Sequence, residues 1–98
     1  MASFATTHVF SGVRQIKYEQ LMETNREFVR SMEKTEFEEY LKTLERRYQD
    51  RCFELTEAFV EKAYEKNPGI RGTGAGYEAI AEATRRAEEI ALQELLDA

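Results

Sequence analysis

The sequence predicts an all-α protein with three helices, at about 12–33, 36–66 and 77–96, in which the central helix is unusually long. Two observations support this class. Apolar residues recur every three or four positions from residue 13 onward, which is the spacing of a helix face. The 98 residues contain a single proline, and nothing after residue 11 alternates as a strand does. We expect a helical hairpin or bundle that is completed by dimerisation.

The amino-terminal segment 1–11, MASFATTHVFS, is predicted to be an arm preceding a single helical domain at 12–98. Its Thr, Val and Phe content favours an extended chain, although no partner strand is apparent in the sequence. Ser11 is a plausible N-cap for the first helix. The apolar face of that helix is carried by Tyr18, Leu21, Phe28 and Met32.

The central helix is predicted from its two ends. Thr35 and Glu38 fit a capping box at its start, and Asn67-Pro68 stops it, because proline lacks an amide proton and restricts the residue before it. A helix of this length spans about 46 Å. A compact domain of about 100 residues is only roughly 35 Å across. We therefore expect part of the helix to be covered by a second copy in a homodimer.

One apolar stripe follows the whole central helix and repeats every eleven residues, which keeps it nearly straight along the axis. Its members are Phe37, Leu41, Leu44, Tyr48, Cys52, Leu55, Phe59 and Ala63. A second stripe of Phe53, Val60 and Tyr64 lies about 135° further around the carboxyl half. One neighbour cannot cover both stripes. The predicted partner-binding residues are Phe37, Tyr40, Leu41, Leu44, Tyr48, Phe53, Val60 and Tyr64.

A glycine-rich loop separates the last two helices. The order Gly72-Thr73-Gly74-Ala75-Gly76 departs from dinucleotide-binding and P-loop patterns, and it follows a helix where a dinucleotide fingerprint follows a strand. Free amides at 69–76 beside Arg71 could hold a small anion, with Arg71, Gly72, Gly74 and Gly76 as its ligands. The sequence favours the alternative, a connection that lets the chain reverse.

The last helix, at about 77–96, is rich in alanine and is strongly helix-forming. Much of its apolar face is small, which lets another helix approach closely. The members of this predicted packing face are Tyr77, Ile80, Ala83, Thr84, Ala87, Ile90, Ala91 and Leu95.

Four glutamates, Glu54, Glu57, Glu61 and Glu65, form a row along the central helix. Such a row is either a solvated face or a docking strip for a basic partner, and the solvated face is the commoner case. Metal-binding bundles use Glu-x-x-His motifs, which this row lacks. His8 and Cys52 stand far apart in sequence, and Cys52 lies on the main apolar stripe. We therefore predict no catalytic residues, no metal site and no cofactor.

The composition excludes several classes of function. A net charge of −5 argues against nucleic-acid binding, and no stretch is apolar enough to cross a membrane. A single cysteine suits a reducing compartment, so we expect a cytoplasmic protein. The predicted partners are a second copy of the chain and another protein.

Residues 32–51, MEKTEFEEYLKTLERRYQDR, resemble the long helix of the NblA family, small phycobilisome-degradation adaptors of cyanobacteria. The resemblance covers about a fifth of the chain. It is carried by Met32, Glu39, Tyr40, Leu41, Leu44 and Arg51. It implies a helical, dimeric protein that works by binding other proteins.

From the residues themselves we predict a small non-enzymatic interaction protein: an adaptor, an inhibitor or an accessory subunit. The alternatives are an anion- or nucleotide-binding module built on the loop 69–76, and an adaptor like those of phycobilisome degradation.

Overall fold

A computed structural model describes residues 12–98 of the chain, and this part of it is all-α, as predicted. The arm at 1–11, with Ser11 and His8, lies outside the described residues. The described part contains four α-helices and one short 3₁₀ turn. These are α1 (Gly12–Thr24), α2 (Arg26–Ser31), α3 (Lys34–Lys66), the 3₁₀ turn Pro68–Ile70 and α4 (Gly74–Asp97).

The segment predicted as one helix at 12–33 is two helices, because Asn25 leaves the helical conformation at φ −153° and ψ 58°. Its amide still closes α1 by donating to the Leu21 carbonyl at 2.7 Å, and its own carbonyl accepts from the Phe28 amide at 3.1 Å. Asparagine is a poor helix former because its side chain competes with the backbone for hydrogen bonds. The break was not predicted because the apolar residues keep their helical spacing on both sides of Asn25.

The central helix α3 begins at Lys34, two residues before the predicted start. The amide of Phe37 donates to the carbonyl of Glu33 at 2.9 Å, so Thr35 lies inside the first turn and does not take the N-cap position of the predicted capping box. At its other end the helix stops at Lys66, directly before Asn67-Pro68 as expected. Its 33 residues span about 50 Å.

The chain divides into two compact units. The described part of the first comprises residues 12–47 and Ala98, and the second comprises residues 48–97. The helix α3 contributes residues 34–47 to the first and residues 48–66 to the second. The core of the first unit consists of Tyr18, Leu21, Val29, Phe37 and Leu41.

Polar contacts join the elements of the first unit around that core. Arg14 on α1 forms an ion pair of 3.4 Å with Glu45 on α3. Lys17 is only 1% exposed, and its ammonium group donates to the Ala98 carbonyl at 3.1 Å. A buried ammonium group needs such acceptors, since charge is costly to remove from water. This burial was not predicted from the sequence, because lysine is almost always exposed unless a partner holds its charge.

In the second unit, α3 and α4 form an antiparallel hairpin. Arg51 contacts Glu94, and Phe59, further along α3, lies under Arg86, which comes earlier on α4. The buried stripe of α4 is spaced every four residues and consists of Ala83, Ala87, Ala91 and Leu95. Three of the four are alanines, which allows another helix to approach closely, as predicted.

The helix α4 starts at Gly74, three residues before the predicted start. Thr73 caps it, because its hydroxyl oxygen accepts from the Gly76 amide at 3.3 Å. Gly76 must be glycine here, since a Cβ would stand 2.2 Å from the Ile70 carbonyl oxygen. The left-handed conformation that reverses the chain is confined to Gly72, at φ +77°. The start of α4 was predicted too late because glycines usually indicate a loop, whereas Gly74 and Gly76 belong to the first turn of the helix.

Candidate interaction surface

The amino half of α3 is occupied by packing within the chain. Phe37, Leu41 and Leu44 are 0%, 1% and 6% exposed. Tyr40 is half-buried, with its ring 5.2 Å from that of Phe28 in an edge-to-face contact. Of the predicted partner-binding residues, those on this half therefore offer little surface to another molecule in this structure.

The carboxyl half of α3 has a different character. No residue from 48 to 66 is fully buried, and the positions on the side of the main stripe are half-buried. Phe53 is 66% exposed, while Val60 and Tyr64, on the same predicted stripe, are half-buried. We call Phe53, Val60 and Tyr64 the Phe53 face. Together with the partly exposed Val60 and Tyr64 on the same side of the helix, this ring forms an apolar patch of the kind that often marks a contact surface.

Two arginines of the second unit lie on aromatic rings. The guanidinium carbon of Arg71 is 4.7 Å from the centre of the Tyr64 ring, and that of Arg86 is 4.6 Å from the centre of the Phe59 ring. Each contact is a cation–π interaction that covers part of the ring. Phe53 has no such cover among the described residues.

The glutamate row borders the Phe53 face. Glu54 forms an ion pair with Arg51 at 3.2 Å. Glu57, Glu61 and Glu65 are exposed, and among residues 12–98 no salt bridge involves them. The structure thus presents an apolar stripe with three carboxylates beside it.

Tyr48 and Cys52 lie one helical turn apart, and each shifts the pKa of the other. The pKa of Tyr48 is raised to about 12, mainly by burial and to a smaller extent by Cys52 and Glu88. Burial also raises the pKa of the Cys52 thiol, partly opposed by the hydroxyl of Tyr48. A thiol held in its neutral form is a poor nucleophile, which agrees with the structural role predicted for Cys52.

Two of the predicted anion ligands, Arg71 and the Gly76 amide, have contacts within the chain. Arg71 stacks on Tyr64, the Gly76 amide is already paired with Thr73, and Gly74 opens α4. Anion binding by Arg71, Gly72, Gly74 and Gly76 stays a prediction. Across residues 12–98, no group of three or more His, Cys, Asp or Glu side chains is placed to hold a metal ion.

Sequence reasoning assigned two surface residues to the wrong environment. Tyr77 and Ile80 fall on the predicted packing face of α4, yet they are 67% and 38% exposed. Both lie in the first two turns of α4, where the buried stripe has only Gly76 beneath it. Their position near the loop end of the hairpin was the available signal, because helix ends are covered by fewer neighbours.

Comparisons with protein-family models, with curated proteins and with solved structures find no match to this chain. The resemblance to phycobilisome-degradation adaptors therefore depends on the quoted residues alone. None of the helices between residues 12 and 98 has the length and apolar character needed to cross a bilayer.

Proposed function

We propose that this chain is a small non-enzymatic interaction protein, an adaptor, inhibitor or accessory subunit, and that the Phe53 face is its contact surface. The exposure of Phe53 carries the proposal. Fully burying such a side chain contributes about 1.5–3 kcal/mol, so a partner that covers it gains up to about as much as one hot-spot residue supplies.

The construction of the second unit supports the same proposal. Domains are stable when packed layers enclose a core, and this hairpin supplies two helices joined largely through alanines. Alanine buries little area, so the hairpin gains less from its own packing than a leucine-rich pair would. A further helix across the Phe53 face would supply the missing layer.

Two occupants of the face follow from the sequence: a second copy of the chain, giving the predicted homodimer, and a helix of another protein. In a homodimer, Phe53→Asp or Val60→Asp should dissociate the assembly and leave the helical circular dichroism signal intact. An unchanged solution mass for both variants would exclude self-association through this face.

The test of function is affinity capture from the source cell with mass spectrometry, using the wild-type chain, Phe53→Asp and Ala58→Asp. Ala58 is exposed on the same helix, about 140° around from Phe53, so it is a control for added charge. We expect the wild type and Ala58→Asp to retain the same proteins and Phe53→Asp to lose them. Equal recovery with all three chains would refute the Phe53 face as the contact surface.

We propose the cytoplasm as the compartment. The support is the single cysteine, Cys52, whose half-buried thiol has no second cysteine in the chain to pair with.

A further inference from the structure

The net charge of this chain comes entirely from one of its two units. Residues 1–47 with Ala98 contain eight acidic and eight basic residues, a net charge of zero. Residues 48–97 contain eleven acidic and six basic residues, so this unit carries the whole net charge of −5. The Phe53 face thus belongs to the acidic unit.

Most cations of the acidic unit are engaged within it. Arg51 binds Glu54 and Glu94, and Arg85 binds Glu82. Arg71 and Arg86 lie on aromatic rings. The other two cations, Lys62 and Lys66, are about 180° and 140° around α3 from Phe53. Within residues 48–66, therefore, no cation of α3 borders the Phe53 face, and the one loop cation that contacts it, Arg71, lies on the Tyr64 ring.

The carboxylates without ion pairs do border it. Glu57 follows Phe53 by four residues, about 40° around the helix, and Glu61 and Glu65 follow Val60 and Tyr64 directly. Apolar and acidic stripes run side by side over residues 53–65, about 18 Å of helix. Like charges four residues apart repel each other, and cations from outside would relieve that repulsion.

These charges favour one of the two possible occupants of the Phe53 face, a helix of another protein, over a second copy of the chain. A second copy would bring another unit of net charge −5 to the same place, at an electrostatic cost. We propose that the Phe53 face binds a basic amphipathic helix of a different protein. Its apolar residues would cover Phe53, Val60 and Tyr64, and its lysines or arginines would pair with Glu57, Glu61 and Glu65. This inference rests on the proposed function and specifies its partner.

The test uses two synthetic peptides of about 18 residues, a length that covers the stripe with a turn to spare at each end. Both place leucines at the i, i+3, i+4, i+7 spacing of a helix face. One has lysines at the flanking positions, and the other has glutamates. Binding to the full chain is measured by fluorescence anisotropy at ionic strengths of about 0.1 M and about 1 M, where the screening length falls from about 10 Å to about 3 Å.

Three variants locate the binding. Phe53→Asp removes the apolar anchor. The triple variant Glu57→Gln, Glu61→Gln, Glu65→Gln removes the acidic stripe. Its matched control, Glu23→Gln, Glu27→Gln, Glu78→Gln, removes three exposed carboxylates outside the stripe and changes the net charge equally.

We expect the lysine peptide to bind at least about tenfold more tightly than the glutamate peptide at about 0.1 M salt. The stripe triple variant should weaken binding roughly tenfold and the control triple by less than about twofold, while Phe53→Asp should abolish it. Equal affinities for the two peptides, or equal losses in the two triple variants, would overturn the inference.

The proposed function is tested separately by the capture experiment, which requires no basic partner. Loss of cellular partners on Phe53→Asp, without discrimination between the peptides, would leave the function standing and refute the charge-based partner. A wild-type mass of twice 11.4 kDa that Phe53→Asp halves would assign the face to a second copy and also refute it.

Discussion

Arg51 on α3 donates hydrogen bonds from two of its nitrogens to the carboxylate of Glu94 on α4, and we call this ion pair the fork. Its Nε lies 2.9 and 3.2 Å from the two carboxylate oxygens, and its Nη2 lies 3.1 Å from one of them. The pKa of Arg51 is raised chiefly by this bond, and the neighbouring Glu54 raises it further. Together with Arg86 above Phe59, the fork fixes the register of the hairpin that carries the Phe53 face.

Removing the charge of Glu94 should loosen the hairpin slightly. Because the fork is exposed to solvent, we expect Glu94→Gln to lower the melting temperature by a small amount at low salt. The difference from wild type should vanish near 1 M salt, where screening is strong. Glu78→Gln, which removes an exposed carboxylate without a described ion pair, is the control. Equal effects from the two substitutions would show that the fork contributes nothing specific.

Gly76 and Gly74 should respond oppositely to alanine. A Cβ at Gly76 would meet the Ile70 carbonyl oxygen at 2.2 Å, whereas a Cβ at Gly74 has nothing within 4 Å. We expect Gly76→Ala to cost about 1–3 kcal/mol, because the backbone must move. Gly74→Ala should be neutral or stabilise by up to about 1 kcal/mol, because it reduces the entropy of the unfolded chain. Urea unfolding followed by circular dichroism measures both, and a tolerated Gly76→Ala would contradict the close contact.

Phe37 and Phe53 belong to different stripes of α3 and differ in their exposure to solvent. Phe37 is fully buried and Phe53 is 66% exposed. Phe37→Ala should therefore destabilise the chain by about 3–5 kcal/mol, while Phe53→Ala should change stability by no more than about 0.5 kcal/mol. Chemical denaturation of the purified variants tests this. Comparable losses at the two positions would mean that Phe53 is already covered, for example by a second copy.

The Cys52 thiol should react slowly, because burial raises its pKa. The pH at which alkylation by iodoacetamide is half-maximal should lie higher in the folded chain than in urea. Tyr48→Phe should move it higher still, because the hydroxyl of Tyr48 lowers the pKa of the thiol. Cys52→Ser is the control for background reaction. A midpoint at or below that of the unfolded chain would contradict the burial of the thiol.

The same two groups determine how stability changes at alkaline pH. The pKa values of Tyr48 and Cys52 are both higher in the folded chain than in the unfolded chain, so the folded state holds their protons longer. Their contribution is therefore complete below the ordinary thiol pKa and declines as the pH rises toward about 12.

The regular parts of the fold were predictable because they follow from periodicity. The three or four residue spacing located every long helix, and the eleven-residue repeat identified the stripe that the chain buries from Phe37 to Leu44. The end of α3 was predictable from Asn67-Pro68, because proline lacks an amide proton and disfavours a helical conformation of the residue before it. Buried alanines on α4 followed from their spacing alone.

The features that were not predicted depend on single residues, because the residues packed around them in the fold decide what each one does. Asn25 breaks a helix although the apolar pattern continues through it, and Thr73 starts one among glycines that argued for a loop. Both stripes of α3 supplied predicted partner-binding residues. Only the fold shows that the chain buries Phe37 and leaves Phe53 exposed, because periodicity indicates a face and cannot say what covers it.

The central claim is that another molecule covers Phe53, and photo-cross-linking in the source cell tests it most directly. A benzophenone amino acid replaces Phe53 in one chain and Ala58 in another, and the products are sized and sequenced after irradiation. We predict a discrete product of higher mass from position 53 and none from position 58. Absence of a product at position 53, or the same products from both positions, would contradict the claim that the Phe53 face is an interaction surface.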